Sequence, residues 1–97
     1  MAEFIVFMHA LPDGVSEGDW EPYLERLGRS GHLRGGSIIA SGKCFAKNGM
    51  EPPVTSHING FIRIDAASFD EAAGLLSGNP VYEAGGTVEL RELPQTG

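Results

Sequence analysis

The chain opens with a short apolar segment that predicts a β-strand. Residues 4–8 read FIVFM without a polar interruption, and His9 closes the run. A run of this length is typical of a strand in the middle of a sheet, with both of its faces covered. The turn-forming residues 11–14, LPDG, then end the strand.

Helical spacing follows this turn. Trp20, Leu24 and Leu27 recur at intervals of three and four residues, which predicts an amphipathic helix with Asp19 as its N-cap. Pro22 then falls in the first turn, where the missing N–H is tolerated. Glycines after Leu27 mark the end of this helix.

Two further strands are predicted in the middle of the chain. Residues 37–42, SIIASG, form a strand that continues towards Phe45, and residues 57–65 alternate between two faces. The Asn48-Gly49 pair between them favours a tight hairpin turn, so the two strands are expected to pair antiparallel. The mixed face of the later strand carries His57, Asn59, Phe61, Arg63 and Asp65.

The last third predicts a helix, a helical turn and a strand. Ser68 to Glu71 form a capping box, in which Ser68 accepts from the amide of Glu71 and Glu71 reaches back to the cap amide. Residues 78–80, GNP, stop the helix, residues 81–84 add one helical turn, and residues 87–93 form the final strand. We expect one domain over residues 1–94 and a C-terminal tail over residues 95–97.

The order strand, helix, strand, strand, helix, strand predicts an α+β fold of the ferredoxin-like βαββαβ type. Right-handed crossovers place the first and third strands in the centre of a four-stranded antiparallel sheet and both helices on one face. The other face is left uncovered although it carries Phe61 and one side of the first strand. A second copy packed sheet to sheet, giving a homodimer, would cover it.

Residues 60–93 resemble the second half of YCII-related (YciI-like, DGPF-type) proteins. The shared features are a glycine and an aromatic residue opening the third strand, the SFDEA helix start, Asn79-Pro80 and a final strand led by glycine. The first half is similar in outline, with FIVFMHA as the opening strand. The resemblance implies a dimeric α+β barrel that encloses a cleft for small molecules, with a histidine moving protons in elimination or isomerisation reactions.

The chain also departs from the pattern of this family. Many members pair a histidine in the first helix with a nearby aspartate, but residues 20–27, WEPYLERL, contain no histidine. The literal Asp-Gly-Pro-Phe sequence is absent as well. The acid–base pair of the family therefore does not transfer, whereas His9 matches a histidine that closes the first strand in DGPF-type relatives.

Composition excludes several classes of function. The 97 residues are 41% hydrophobic and 21% charged, which is typical of a soluble domain. Thirteen acidic against seven basic residues give a net charge of −6, which works against binding to nucleic acid or to anionic membranes. No export signal is visible, so we expect a cytoplasmic location. Cys44 is the only cysteine, and we interpret it as a packing residue on a strand rather than as a nucleophile.

Two histidines are the candidates for catalysis. His9 stands where an apolar strand ends and can reach a cleft, and an imidazole suits proton transfer at neutral pH. His57 begins the mixed face, whose Asn59, Phe61 and Arg63 offer an amide, an aromatic wall and a cation for a ligand. Ser41 is a further candidate ligand-binding residue.

For each of these candidates a structural role is the alternative. In the structural alternative, His9 serves solely to hydrogen-bond to a neighbouring strand. The mixed face then serves solely as a dimer interface. The glycines and arginines around His32 could bind an anion, but basic residues in a solvated connection explain them better. The three histidines lack ligand spacing, so we predict no metal and no cofactor. Two hypotheses remain: a lyase- or isomerase-like enzyme, and a non-catalytic dimeric module that binds a small metabolite or only associates.

Overall fold

The computed structural model describes residues 1–94, so the predicted tail over residues 95–97 lies outside the described residues. Its seven elements are β1 (Ala2–His9), α1 (Glu17–Arg29), β2 (Leu33–Ile38), β3 (Ile58–Ala66), α2 (Phe69–Gly74), α3 (Pro80–Glu83) and β4 (Val88–Leu93). The strands form one antiparallel sheet in the order β2-β3-β1-β4. The predicted ferredoxin-like α+β fold is therefore confirmed. Within residues 1–94 no helix is long and apolar enough to cross a membrane.

The hydrophobic core lies on the side of the sheet that faces the helices. Alternate residues of β1, namely Phe4, Val6 and Met8, are buried there together with Tyr23 and Leu27 of α1. On the opposite face Ile5 and Phe7 are only half-buried. The expectation that the first strand is buried on both faces is therefore wrong for the single chain, because the helices pack on one side. We call the other side the open face.

Helix α1 begins earlier than predicted. Its N-cap is Ser16 rather than Asp19, and Glu17 and Asp19 both lie in the first turn, where carboxylates oppose the positive end of the helix dipole. Pro22 consequently lies inside the helix rather than in its first turn. Tyr23 lies on the buried face of the helix.

Strand β2 also lies earlier than predicted, because Gly35 and Gly36 pair with β3 instead of leading into the strand. A Cβ atom on Gly36 would come within 2.5 Å of the carbonyl oxygen of Phe61, so glycine permits this close pairing. The strand ends at Ile38 and does not run on to Phe45. It still pairs antiparallel with β3, as expected.

A long connection, residues 39–57, joins β2 to β3. The predicted turn at Asn48-Gly49 is present, with Gly49 at φ 85°, but it lies within this connection and does not join the strands directly. Cys44 belongs to the connection as well, with its Sγ 3.6 Å from the carbonyl oxygen of Pro53, so its placement on a strand is wrong. The adjacent Phe45 is 88% exposed.

The capping box of α2 is confirmed with one difference. Ser68 Oγ accepts a hydrogen bond from the Glu71 amide at 3.1 Å. The Glu71 carboxylate accepts from the amide of Ala67 at 2.8 Å, one residue before the expected cap amide. The predicted extra turn is α3, and the buried Asn79 caps it.

Candidate functional site

His9 is held at the end of β1 by both neighbouring strands. Its backbone amide donates to the carbonyl oxygen of Thr87 at 3.0 Å, and the next amide, that of Ala10, donates to the carbonyl oxygen of His57 at 2.6 Å. These two bonds fix the backbone beside the entrance to β3. The side chain of His9 is 24% exposed and so remains accessible from solvent.

A β-bulge lies beside His9. Met8 pairs with Gly60 but His9 pairs with Ile58, so Asn59 is an extra residue in β3. Bulges bend a strand locally and redirect its side chains, and they are frequent next to functional sites. The bulge interrupts the strand pairing at Asn59, while burial alternates from Ile58 to Ala66, as the sequence pattern predicts.

Three side chains meet at this end of the sheet, and we call His9, His57 and Glu89 the His9 cluster. The Nε2 atom of His9 lies 3.0 Å from Oε1 of Glu89 on the adjacent strand β4. The rings of His9 and His57 meet edge to face, with centroids 4.9 Å apart and an interplanar angle of 75°. Arg91 flanks the cluster, with its Nη1 3.4 Å from Oε2 of Glu89.

The electrostatics of the cluster favour an ionised carboxylate. The hydrogen bond with His9 lowers the pKa of Glu89 below its usual range, against a smaller opposing effect of burial, and Arg91 lowers it further. An ionised carboxylate that accepts from Nε2 fixes the orientation of the imidazole ring. Nδ1 is the ring nitrogen that does not face Glu89.

The other residues predicted for the site are not all brought to the His9 cluster. Arg63 lies opposite Ile5 in the sheet, and at about 3.3 Å per residue it is about 13 Å along the strand from His9. Its guanidinium Nε donates to Glu3 at 2.7 Å. Ser41 is exposed in the connection after β2. The structure therefore unites His9 with His57, but not with Arg63.

The basic segment around His32 is occupied by contacts within the chain. His32 Nδ1 lies 2.7 Å from the carbonyl oxygen of Asp65, and Arg34 Nε donates to the carboxylate of Asp65 at 2.6 Å. Arg29 forms an ion pair with Glu25 one helical turn earlier. Within residues 1–94, there is no group of three or more His, Cys, Asp or Glu side chains with the arrangement of a metal site.

A cavity lies on the other side of the sheet, between α1 and the strands β2 and β3. Its volume is about 610 Å³, within the range of small-molecule sites. Trp20 and Leu24 of α1 form one wall, and Gly36 and Gly60 leave its floor without side chains. Of the predicted ligand-binding residues, Asn59 and Phe61 border this cavity. We call it the helix-side cavity.

Comparison with known proteins finds likeness at the level of structure. No protein-family model matches the chain, and no curated protein matches it significantly. A solved structure that is similar is 5-chloro-2-hydroxyhydroquinone dehydrochlorinase from Burkholderia phenoliruptrix AC1100 in complex with 2,5-dihydroxybenzoquinone. The match has a TM-score of 0.58 at 15% sequence identity and covers 97% of this chain and 95% of the other. The two proteins share a fold.

Sequence reasoning missed Glu89. The alternation of the last strand places Thr87, Glu89 and Arg91 on one face, and the predicted topology makes this strand a neighbour of the first one. Those two signals indicate that Glu89 and His9 share the open face. The missing information was the strand register, in which Phe7 pairs with Glu89 and the carboxylate comes within reach of His9.

Proposed function

We propose that this protein is a small-molecule enzyme of the lyase or isomerase type, in which His9 accepts a proton from the substrate and returns it. The observation that carries the proposal is the 3.0 Å contact between His9 Nε2 and Glu89. A carboxylate behind an imidazole holds the ring in one orientation and stabilises the imidazolium that forms during the reaction. His57 supplies an aromatic edge against the same ring.

Hydroxylated ring compounds are the proposed substrate class. The structural neighbour is a dehydrochlorinase of a chlorinated hydroxyhydroquinone, and its structure holds a dihydroxybenzoquinone. Ring hydroxyl groups of such molecules present protons that an imidazole can remove. Membership of the YCII-related family, indicated by residues 60–93, belongs to the same proposal and supports it through the histidine that closes the first strand.

The test uses the two molecules named for the structural neighbour. Binding of 2,5-dihydroxybenzoquinone is measured by calorimetry, and chloride release from 5-chloro-2-hydroxyhydroquinone measures turnover. We expect His9→Gln to lower kcat/KM by about 100-fold or more. Glu89→Gln is expected to lower kcat with little change in KM, because Glu89 orients His9 without contacting the substrate. The matched control is His32→Gln, a histidine outside the cluster, which should keep full activity.

We also propose that a second copy packs on the open face. Ile5, Phe7 and Phe61 lie there half-buried in the single chain, and ion pairs such as Glu3–Arg63 flank them. Aromatic residues and arginine are typical of the centre of protein interfaces. A homodimer built on this face would enclose the His9 cluster in a cleft between two sheets.

The alternative function is a non-catalytic dimeric module that binds a small metabolite or only associates. Half-buried apolar side chains on the open face would serve such a module equally well. Turnover separates the two proposals: the module predicts that the wild type and His9→Gln are equally inactive, while the dimer is retained. Any chloride release that depends on His9 supports the enzyme.

A further inference from the structure

The helix-side cavity is separate from the His9 cluster. His9, His57 and Glu89 are not among the residues that line it, and they lie beyond the sheet from the helices. The cavity is open to solvent, since Ile38 in its lining is 84% exposed, and its volume of about 610 Å³ is large enough for a small molecule.

The lining defines the chemistry of a ligand that fits. The lining is mainly apolar and includes Met8 from β1, Leu24 from α1, Ile62 from β3 and Val81 from α3. Trp20 adds an indole that is only half-buried by the rest of the chain. Such walls favour a flat, apolar ring system, which gains area burial and aromatic contact together.

One charged residue lines this cavity, and it is acidic. Among residues 1–94, Glu17 at the start of α1 is the sole charged member of the lining, and the chain carries a net charge of −6. An anionic ligand would meet repulsion at Glu17, whereas a cation would be attracted by its carboxylate and by the face of Trp20. The charge of the cavity thus complements a protonated amine.

From these features we propose that the helix-side cavity binds a small aromatic amine, with the ring system against Trp20 and Leu24 and the ammonium group towards Glu17. This function is independent of proton transfer at His9. It assigns the cavity a ligand that differs in charge from acidic ring hydroxyl compounds, so one chain would carry two distinct sites on opposite sides of its sheet.

Three naphthalene derivatives test the proposal: naphthylmethylamine, naphthylmethanol and naphthoate, all substituted at the same ring position. Calorimetry gives the dissociation constants, and the NMR signal of the indole N–H reports the site, because Trp20 is the only tryptophan of the chain. We expect the amine to bind about two- to fivefold more tightly than the alcohol, as for an exposed ion pair. Naphthoate should bind most weakly, and the amine should shift the indole signal.

Variants separate the charge from the cavity. Glu17→Gln should abolish the preference for the amine over the alcohol, while Glu21→Gln, an exposed glutamate of the same helix that does not line the cavity, should preserve it. Leu24→Trp fills the space from α1, and Gly60→Val fills it from β3. Circular dichroism checks that each variant folds. If one of them misfolds, the other still tests the proposal. Both should weaken binding of the amine by about tenfold or more.

Three results would overturn the proposal. The first is that none of the three compounds binds at about 1 mM, where a ligand of this size in a fitting cavity is expected to bind. The second is that naphthoate binds as tightly as the amine. The third is that a folded filling variant binds the amine like the wild type, or that the amine binds without moving the indole signal of Trp20.

Discussion

At the scale of single residues, Tyr23 shows how burial changes the chemistry of a side chain. Its ring is 2% exposed, and its hydroxyl donates to the carbonyl oxygen of Leu75 at 2.8 Å, which ties α1 to the end of α2. Burial raises the pKa of this phenol, against smaller lowering effects of the Asn79 side chain and of the charge of Arg26. Tyr23 is therefore a buried group that resists ionisation.

The raised pKa of Tyr23 predicts a loss of stability in alkali. In the unfolded chain a tyrosine ionises near pH 10, whereas in the folded chain it keeps its proton to higher pH. The contribution of Tyr23 to the free energy of unfolding is therefore fully present below about pH 10. It is lost as the pH rises above this value. Urea unfolding at a series of alkaline pH values should show this decline in the wild type and a weaker one in Tyr23→Phe. At neutral pH the variant should lose about 0.5–1.5 kcal/mol. Equal alkaline declines in both proteins would contradict the prediction.

Two helix caps differ in burial, and this predicts different costs for their removal. The Oδ1 atom of Asn79 accepts from the amides of Val81 at 3.0 Å and Tyr82 at 3.2 Å, and Asn79 is 0% exposed. Ser68 caps α2 from an exposed position. Asn79→Ala leaves buried donors without a partner, at a cost of about 2–3 kcal/mol in unfolding free energy. Ser68→Ala should cost about 0.5–2 kcal/mol. Chemical denaturation measures both, and equal losses would show that burial does not matter here.

At the scale of elements, substitution by alanine is expected to change stability in opposite directions at two glycines. Gly36 pairs tightly with β3, and a Cβ there would lie 2.5 Å from the carbonyl oxygen of Phe61 and 2.9 Å from Cγ2 of Ile62. Gly36→Ala should therefore destabilise the protein by about 1–3 kcal/mol. Gly28 lies in α1, and a Cβ there meets nothing within 4 Å. Gly28→Ala should stabilise the protein by about 0.5–1 kcal/mol. Thermal unfolding gives both signs, and a neutral Gly36→Ala would contradict the close packing described for β2.

The elements with clear periodicity could be predicted from the sequence, and those shaped by tertiary contacts could not. The alternation of β3 and the capping box of α2 are local signals, and both agree with the structure to within one residue. Strand β2 was misplaced because Gly35-Gly36 is typical of a loop, whereas its pairing with β3 tolerates no side chain at Gly36. The start of α1 was misplaced because Ser16 and Asp19 are both good caps.

The candidate site was also predictable in part from local signals and topology. The end of an apolar strand identified His9, and the topology brought His57 beside it, because residues before the third strand must lie near the end of the first. Two features required the three-dimensional register: the bulge at Asn59 and the approach of Glu89 to His9. The separation of Arg63 from both histidines likewise depends on distance along the strand, which face alternation does not encode.

At the scale of the whole molecule, the single chain is a two-layer slab. Its shortest dimension is 18 Å, which corresponds to one layer of helices on one sheet, so the open face has no covering layer within residues 1–94. Large apolar side chains are also exposed elsewhere, including Phe45, at 88%, and Met50, at 66%, in the connection between β2 and β3. An apolar sheet face without a covering layer is typical of a surface that associates, whereas single exposed residues in a loop are not.

The open face therefore predicts a concentration-dependent homodimer that one substitution on this face can disrupt. Light scattering at micromolar concentration should give twice the mass of the chain for the wild type and the monomer mass for Phe61→Arg, because the new charge would be buried without a partner between two sheets. Phe61 is only half-buried in the single chain, so the variant should keep its circular dichroism spectrum. The matched control is Tyr82→Arg, which places the same charge at an aromatic position that is 51% exposed on the helix side and should leave the dimer intact. A wild-type monomer at these concentrations, or a Phe61→Arg variant that remains dimeric, would show that the open face is not where two copies meet.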